Sequence, residues 1–144
     1  MTIAAVIQRL EEAVPSLASR VEGAMQFAEL MRSGNLPQVT PAAHVLPLGL
    51  QGGQPDVMAG IFRQPIARSI AIVLTIRTYD VTAAREVDPL NSLIDEILAA
   101  IAGWTPDSTV GVYRLARAGL VSMTAGTVIY QIDFSIDDQL RILT

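Results

Sequence analysis

The side chains best suited to chemistry are three carboxylates near the C-terminal end of the chain, Asp133, Asp137 and Asp138. Paired carboxylates can act as general acid and base, or they can hold a hard cation. Asp137 and Asp138 are adjacent at the end of an apolar strand pattern, and no base, nucleophile or glycine-containing calcium loop accompanies them. Because aspartate lies mostly on protein surfaces, we interpret these side chains as solvated, without a catalytic or metal-binding role.

The other reactive side chains are scarce. The chain has one histidine, His44, and no cysteine, which excludes disulfides, thiolate catalysis and zinc–thiolate sites. His44 lies in an apolar segment, which favours a hydrogen-bonded structural histidine over a ligand. Trp104 follows Gly103 and precedes Pro106, and we interpret it as the anchor of a helix end. The residues therefore predict no enzyme, no cofactor and no metal site.

A glycine-rich stretch runs from Leu50 to Phe62 and contains Gly52, Gly53 and Gly60. It lacks the lysine of a phosphate-binding P-loop and the spacing of a dinucleotide fingerprint. We predict a loop of about a dozen residues, a length that is usually functional or mobile. Two interpretations stay open: a loop that docks on a partner and becomes ordered on contact, or plain flexibility.

Helical patterns precede and follow these segments. Apolar residues at helical spacing predict one main helix over residues 3–14. A second main helix is predicted over residues 88–102, with Asp88 as its cap and Pro89 at its first position. A shorter helix is expected from Ala24 to Met31 and should end at a glycine C-cap.

Strand patterns occupy most of the remaining chain. Large aliphatic and small or polar residues alternate from Ile66 to Tyr79, and a similar alternation runs from Val128 to Ile136. Shorter strands are predicted at Thr40–Leu48, Val110–Leu115 and Leu120–Met123. Strands with one bulky face suit an antiparallel sheet covered on one side. We predict a single α+β domain over residues 1–144: a mostly antiparallel sheet of four to five strands, with two main helices packed on one face.

Composition and strand length indicate a protein that associates. Hydrophobic residues make up 51% of the chain and the mean hydropathy is +0.41. The apolar runs are nevertheless far shorter than the roughly 20 residues that cross a bilayer. The net charge of −4 argues against sequence-independent binding to nucleic-acid phosphates.

Fourteen extended residues from Ile66 to Tyr79 would span about 46 Å, whereas a domain of this size is about 37 Å across. The strand must either bend at a bulge or reach past its own domain.

Several segments, taken together, resemble the tail terminator proteins of long-tailed bacteriophages and prophages. They are Arg20-Val21-Glu22-Gly23-Ala24, Leu36-Pro37 with the block Pro41 to Pro47, Arg63-Gln64, Gly103 to Pro106, and Tyr130 to Phe134. The resemblance spans most of the chain and rests on the ordered combination. His44 stands where such proteins more often have an aromatic residue.

The resemblance implies a non-enzymatic structural protein of the virion, assembled in the cytoplasm of the bacterial host, without a cofactor and without contact to a membrane. Such proteins form a ring, usually a hexamer, on the head-proximal end of the tail tube. The ring stops tube polymerisation and offers a docking surface to the head connector. Expected partners are other copies of the chain, the tail tube protein and the head-connector protein, with DNA only passing through the lumen.

Two alternatives stay open, a head–tail neck or completion protein and, in a different class, a small-ligand-binding α+β domain. On the terminator interpretation, two sets of residues are predicted to make contacts. The predicted subunit interface follows the long strand and comprises Arg63, Gln64, Ala67, Ser69, Ala71, Thr75 and Arg77. The predicted docking loop for tube or connector comprises Gln51, Gly52, Gly53, Gln54, Asp56 and Met58.

Overall fold

The computed structural model of the protein describes residues 2–17, 20–37, 39–77, 83–106, 111–124 and 126–143. Three helices and six strands form the fold, together with a short 3-10 turn at Pro15–Leu17. The helices are α1 (Thr2–Ala13), α2 (Ala24–Ser33) and α3 (Ala83–Ile101). The strands are β1 (Val21–Glu22), β2 (Ala42–Gly52), β3 (Asp56–Met58), β4 (Ile61–Arg77), β5 (Arg114–Thr124) and β6 (Thr127–Leu143).

One open sheet contains all six strands in the order β1-β2-β4-β6-β5, with β3 also paired to β4. The pair β1–β2 is parallel and the other pairs are antiparallel. The predicted α+β class is therefore confirmed. The predicted four to five antiparallel strands are only roughly right, because β1 adds a parallel edge and β3 adds a short hairpin strand that the sequence pattern did not reveal.

The centre of the sheet is an unusually long antiparallel ladder. Strands β4 and β6 have 17 residues each and pair from Ile61 with Leu143 to Arg77 with Thr127, without a register shift. At about 3.4 Å per residue, each strand spans about 54 Å. The bend at a bulge that the sequence left open does not occur in this ladder, so the long strand does reach past the helices. Tyr79, the predicted end of that strand, lies outside the described residues.

The hydrophobic core lies on one face of this ladder. Ile70, Ile72 and Leu74 of β4 are buried there, and the helices contribute Val6, Leu10, Leu93, Ile97 and Ile101. Complete burial of one such aliphatic side chain is worth about 1.5–3 kcal/mol. Helices α1 and α3 pack on one face of the sheet, as predicted, but the prediction of two main helices is only roughly right, because α2 is a third helix.

Helix α3 begins earlier than predicted. It starts at Ala83, so Asp88 is not its cap and Pro89 lies inside the helix. Proline in a helix removes one hydrogen bond but has a φ that suits the helix, and the buried turns that follow outweigh this local signal. The predicted stop is right, since Gly103 has a φ of 79° and its N–H donates to the Tyr113 carbonyl at 2.8 Å.

The loop predicted from Leu50 to Phe62 is largely β structure. Strand β2 continues through Gly52, and β3 pairs with residues 61–63 of β4 in a tight hairpin that turns at Gly60, where φ is 79°. The glycines therefore serve turns and close contacts within a sheet. Similarly, the two strands predicted between residues 110 and 123 form the single strand β5, while Val110 lies outside the described residues.

Helix α2 packs on the other side of β2 from the core. Its Phe27 ring lies 5.3 Å from the ring of His44 (centroid to centroid), yet α2 itself has no buried residue. His44 is 1% exposed, and neither of its ring nitrogens has a hydrogen-bond partner among the residues that the structure describes. The predicted structural histidine is therefore buried but not hydrogen-bonded. Burial lowers its pKa, and the nearby Glu22 carboxylate offsets this only in part.

Arg20 joins three parts of the chain beside β1. Its Nε donates to the Pro41 carbonyl at 2.8 Å and its Nη2 donates to the Ser16 carbonyl at 3.0 Å. Its own carbonyl accepts from the Ala43 N–H at 3.0 Å. The side chain thus ties the 3-10 turn and β1 to the start of β2.

Arg20→Met should lower the free energy of unfolding by about 2 kcal/mol, because it removes two hydrogen bonds from a charged donor and leaves two carbonyls unpaired. Arg32→Met is the matched control, since exposed Arg32 pairs only with exposed Glu29 on the same helix, and it should change stability by less than about 0.5 kcal/mol. Urea denaturation measures both. Equal effects of the two substitutions would contradict this role of Arg20.

Stability should also depend on the protonation of His44. Because the folded pKa is lowered below the ordinary 6.5, the unfolded chain binds the proton more tightly, and stability falls as the pH drops through about 6.5. His44→Phe should remove this loss, which can reach about 1.4 kcal/mol per pH unit. His44 is the chain's single histidine, so urea titrations at about pH 7.5 and about pH 5.5 isolate it. Parallel losses in both proteins would show that burial of His44 does not set the pH dependence.

Candidate assembly surface

The sheet continues well beyond the helices, and this part of it is named the arm. The arm comprises residues 46–52 of β2, all of β3, residues 61–69 of β4 and residues 137–143 of β6. None of these residues is buried, whereas residues 70–75 of β4 and 132–136 of β6 are all buried. Nine residues of β4 make the arm about 30 Å long. The ladder therefore passes from a buried half to a half without buried residues, at whose base Ile3 of α1 lies near Leu48 and Leu50.

Apolar side chains are exposed on both faces of the arm. Leu50 and Val57 lie on the face that continues the core, at 65% and 72% exposure, and Met58 and Leu143 lie on the opposite face, at 58% and 83%. A sheet normally buries at least one face against another layer, and exposed apolar patches typically mark interaction sites. The arm thus has the character of a surface that a partner covers.

The carboxylates near the C-terminus do not converge on a common site. Asp138 pairs with Arg68 at 3.4 Å, and exposed Asp137 pairs with Arg114 at 3.1 Å. Asp133 is buried and accepts a hydrogen bond from Gln131 at 2.8 Å. The prediction of a solvated side chain is wrong for Asp133, because its position on β6 lies between its neighbours on β4 and β5. In the described part of the chain, no three His, Asp or Glu side chains come together as a metal site.

A shallow depression of about 370 Å³ lies on the arm at the junction of β2, β4 and β6. Its lining residues are Gln51, Gly52, Gly53, Pro65, Ile66, Ala67 and Asp137. The Gly53 N–H donates to the Pro65 carbonyl at 2.7 Å, and a Cβ added at Gly53 would lie 3.0 Å from Pro65 Cγ. A side chain at this position would therefore push Pro65 away by a few tenths of an ångström. The depression is lined by small residues together with the amide of Gln51 and the carboxylate of Asp137.

The structure places the predicted subunit-interface residues in different environments. Ala71 and Thr75 are only 1% and 3% exposed, so the chain itself covers them. Gln64 lies on the face of β4 opposite to Ala71 and Thr75, and its side-chain amide donates a hydrogen bond to the Gly53 carbonyl at 3.0 Å. The remaining members are partly buried along β4: Arg63, Ala67, Ser69 and Arg77.

All residues of the predicted docking loop are exposed. Gln51 and Gly52 end β2, Gly53 and Gln54 follow it, and Asp56 and Met58 belong to β3. Gln51, Gly52 and Gly53 line the same depression as Ala67 of the other set. The fold thus brings members of the two predicted sets into one surface, although the sequence offered them as separate sites.

Sequence reasoning missed strand β5 as a candidate surface. None of its residues is buried, and exposed apolar side chains occur throughout it: Leu115, Leu120, Val121 and Met123. Its pairing with β6 shifts register between Leu115 and Arg117 and again between Leu120 and Ser122. Each shift moves the following side chains to the other face, which breaks the alternation that a sequence pattern depends on. The signal that remains is a run of aliphatic residues next to two arginines.

The aromatic residues at the end of α3 are structural. Trp104 stacks on Tyr113 at 6.1 Å between ring centroids, and the guanidinium of Arg9 lies 5.6 Å from the Trp104 ring. This confirms Trp104 as the anchor of the helix end. Burial raises the pKa of Tyr113 to about 12, against a weaker opposing effect of Arg68, so the phenol stays neutral at physiological pH.

Comparisons with known proteins identify the family of the chain. No described helix has both the length and the apolar character needed to cross a membrane. A comparison with curated proteins found no match. The family model described as "Phage tail terminator protein" matches residues 1–144, the whole chain. This confirms the resemblance seen in the sequence segments, and the protein therefore belongs to the phage tail terminator family, as a structural component of a phage tail.

Proposed function

We propose that this protein forms a ring on the head-proximal end of the tail tube, stops tube polymerisation there and presents a docking surface to the head connector. The observation that carries the proposal is the arm, which extends about 30 Å beyond the helices with exposed apolar side chains on both faces. A tail protein with such a surface is suited to bind other tail components.

The position of the hydrophobic core supports the proposal that the covered half of the sheet stabilises the chain and the arm binds partners. Helices α1 and α3 already cover the buried half of the β4–β6 ladder, so the arm is not needed to complete the core of the chain. Its apolar side chains remain in water until another surface covers them. At about 25 cal/mol per Å² of apolar area, covering the arm would favour association.

The depression is the proposed contact for the tube or the connector. Its floor of Gly52, Gly53 and Ala67 lets another backbone approach closely, while Gln51 and Asp137 at the rim can bind polar groups of a partner. Arg63 and Ser69, which remain partly accessible on the same face of β4, are proposed to contact a neighbouring copy. A net charge of −4 suits passage of DNA through a ring without retention.

Tails assembled in the absence of the protein should be overlong, uncapped and variable in length, because nothing then stops tube growth. The measurement is negative-stain imaging of tails from the phage or prophage with this gene deleted, compared with the complemented strain. Tubes of normal length that fail to join heads would instead identify a neck or completion protein. Normal tails joined to heads would contradict both roles.

Ala67→Arg should abolish length control without unfolding the protein, since it fills the depression from its floor. We expect a loss of about 2 kcal/mol in partner binding, roughly thirtyfold, as for a central interface residue. Gln8→Arg, at an exposed position of α1, is the matched control and should complement the deletion. Circular dichroism verifies the fold of both variants. Normal tails with folded Ala67→Arg protein would exclude the depression as a contact.

A further inference from the structure

Two different strands leave the outer edges of the sheet open. On one side, β5 pairs with β6 along its inner edge, and no other described strand pairs with its outer edge. On the other side, β1 pairs only with Ala43 and His44 of β2. The part of β2 from Leu48 to Gly52 therefore has an open outer edge among the described residues. Open edges expose unpaired N–H and C=O groups, which readily pair with a strand of another chain.

The strand directions make these two edges compatible. Because β2, β4, β6 and β5 are successively antiparallel, β5 runs opposite to β2. When copies of the chain follow one another with the same orientation, β5 of one copy meets β2 of the next as an antiparallel pair, the more stable type of ladder. Since the two edges differ, the contact is heterologous, and repeated rotation can close it into a ring.

Charge favours the same partner. Strand β5 carries Arg114 and Arg117 and no acidic residue. The strands on the opposite side of the sheet, β1, β2 and β3, carry Glu22 and Asp56 and no arginine. A contact between two β5 strands would bring like charges together, whereas β5 against the uncharged end of β2 avoids this and directs its arginines towards Asp56.

The two edge segments lie at different positions along the strand direction, and this offset matches the one expected for a ring of tilted sheets. Ala118 of β5 pairs with Ile132 of β6, which in turn pairs with Ile72 of β4. On the other side of β4, Leu50 of β2 pairs with Arg68. The four-residue difference is about 14 Å. Four strands at about 4.8 Å spacing, tilted by about 40° as in closed barrels, shift successive copies by about 16 Å along the strands. Ala118 and Leu50 also lie on the same face of the sheet.

From these observations we infer that the subunit contact of the ring is an antiparallel edge pairing of β5 in one copy with Leu48–Gly52 of β2 in the next. The inference rests on the proposed ring and adds a pairing of strand edges to the proposed contact of Arg63 and Ser69. The exposed apolar side chains of β5 and of β2, among them Leu50 and Leu120, then become neighbours across the contact.

The absence of cysteine allows a clean cross-linking experiment. Chains with both Ala118→Cys and Leu50→Cys are expected to form, under mild oxidation, a ladder of covalent oligomers on denaturing gels that ends at the ring size. Neither single substitution should cross-link alone. The matched control combines Ala118→Cys with Asp95→Cys, an exposed position on α3, and should remain monomeric on the gel.

The experiment is performed on purified protein and on tails from the deletion strain complemented with each variant. A short bismaleimide cross-linker and cysteines at neighbouring positions of both strands test pairings that are shifted by one or two residues. Dimers from Ala118→Cys alone would overturn the inference in favour of a β5–β5 contact. Tails of normal length that contain the doubly substituted protein, but in which no pair of positions forms a cross-link, would also overturn the inference. The proposed capping function would then still stand.

Discussion

The structure depends on a mismatch in length between its central strands and the helices that cover them. Strands β4 and β6 have 17 residues and span about 54 Å. Helix α1 has 12 residues and helix α3 has 19, which correspond to about 18 Å and about 28 Å. No arrangement of these helices along the strands can shield the whole ladder. One half of the sheet therefore completes a core within the chain, and the other half has no buried residue.

This mismatch separates stability from assembly. The residues that hold the chain together, such as Ile72, Leu74 and Phe134, lie in the covered half. The exposed apolar residues Leu50, Met58 and Leu143 lie in the arm. Since the two halves share the same uninterrupted β4–β6 pairing, the arm is held rigidly by a folded body. A rigid arm loses little conformational entropy when a partner covers it, which favours binding.

The sequence predicted those parts of the fold that depend on local periodicity. The stripes of α1 and α3 and the alternation in β4 and β6 follow from burial on one face, which leaves a pattern in the residues. It failed where pairing with distant residues decides the conformation: residues 50–62 form strand ends and a hairpin because β4 offers partners for their backbone groups. The start of α3 was missed because later, buried turns outweigh Pro89. The depression could not be predicted, since Gly53 and Asp137 meet only through the sheet register.

The sheet order also bears on the symmetry of the proposed contact. An open sheet that ended in equivalent strands would favour a two-fold contact, which closes after two copies. Here the chain ends its sheet in a basic strand, β5, on one side and in the uncharged end of β2 beside Asp56 on the other. The bulges in β5 and at Pro47–Gly49 of β2 interrupt both edges, so a strand that pairs with either edge has to match these interruptions. If the proposed edge contact forms the ring, its selectivity therefore comes from the backbone geometry and the charge of the two edge strands.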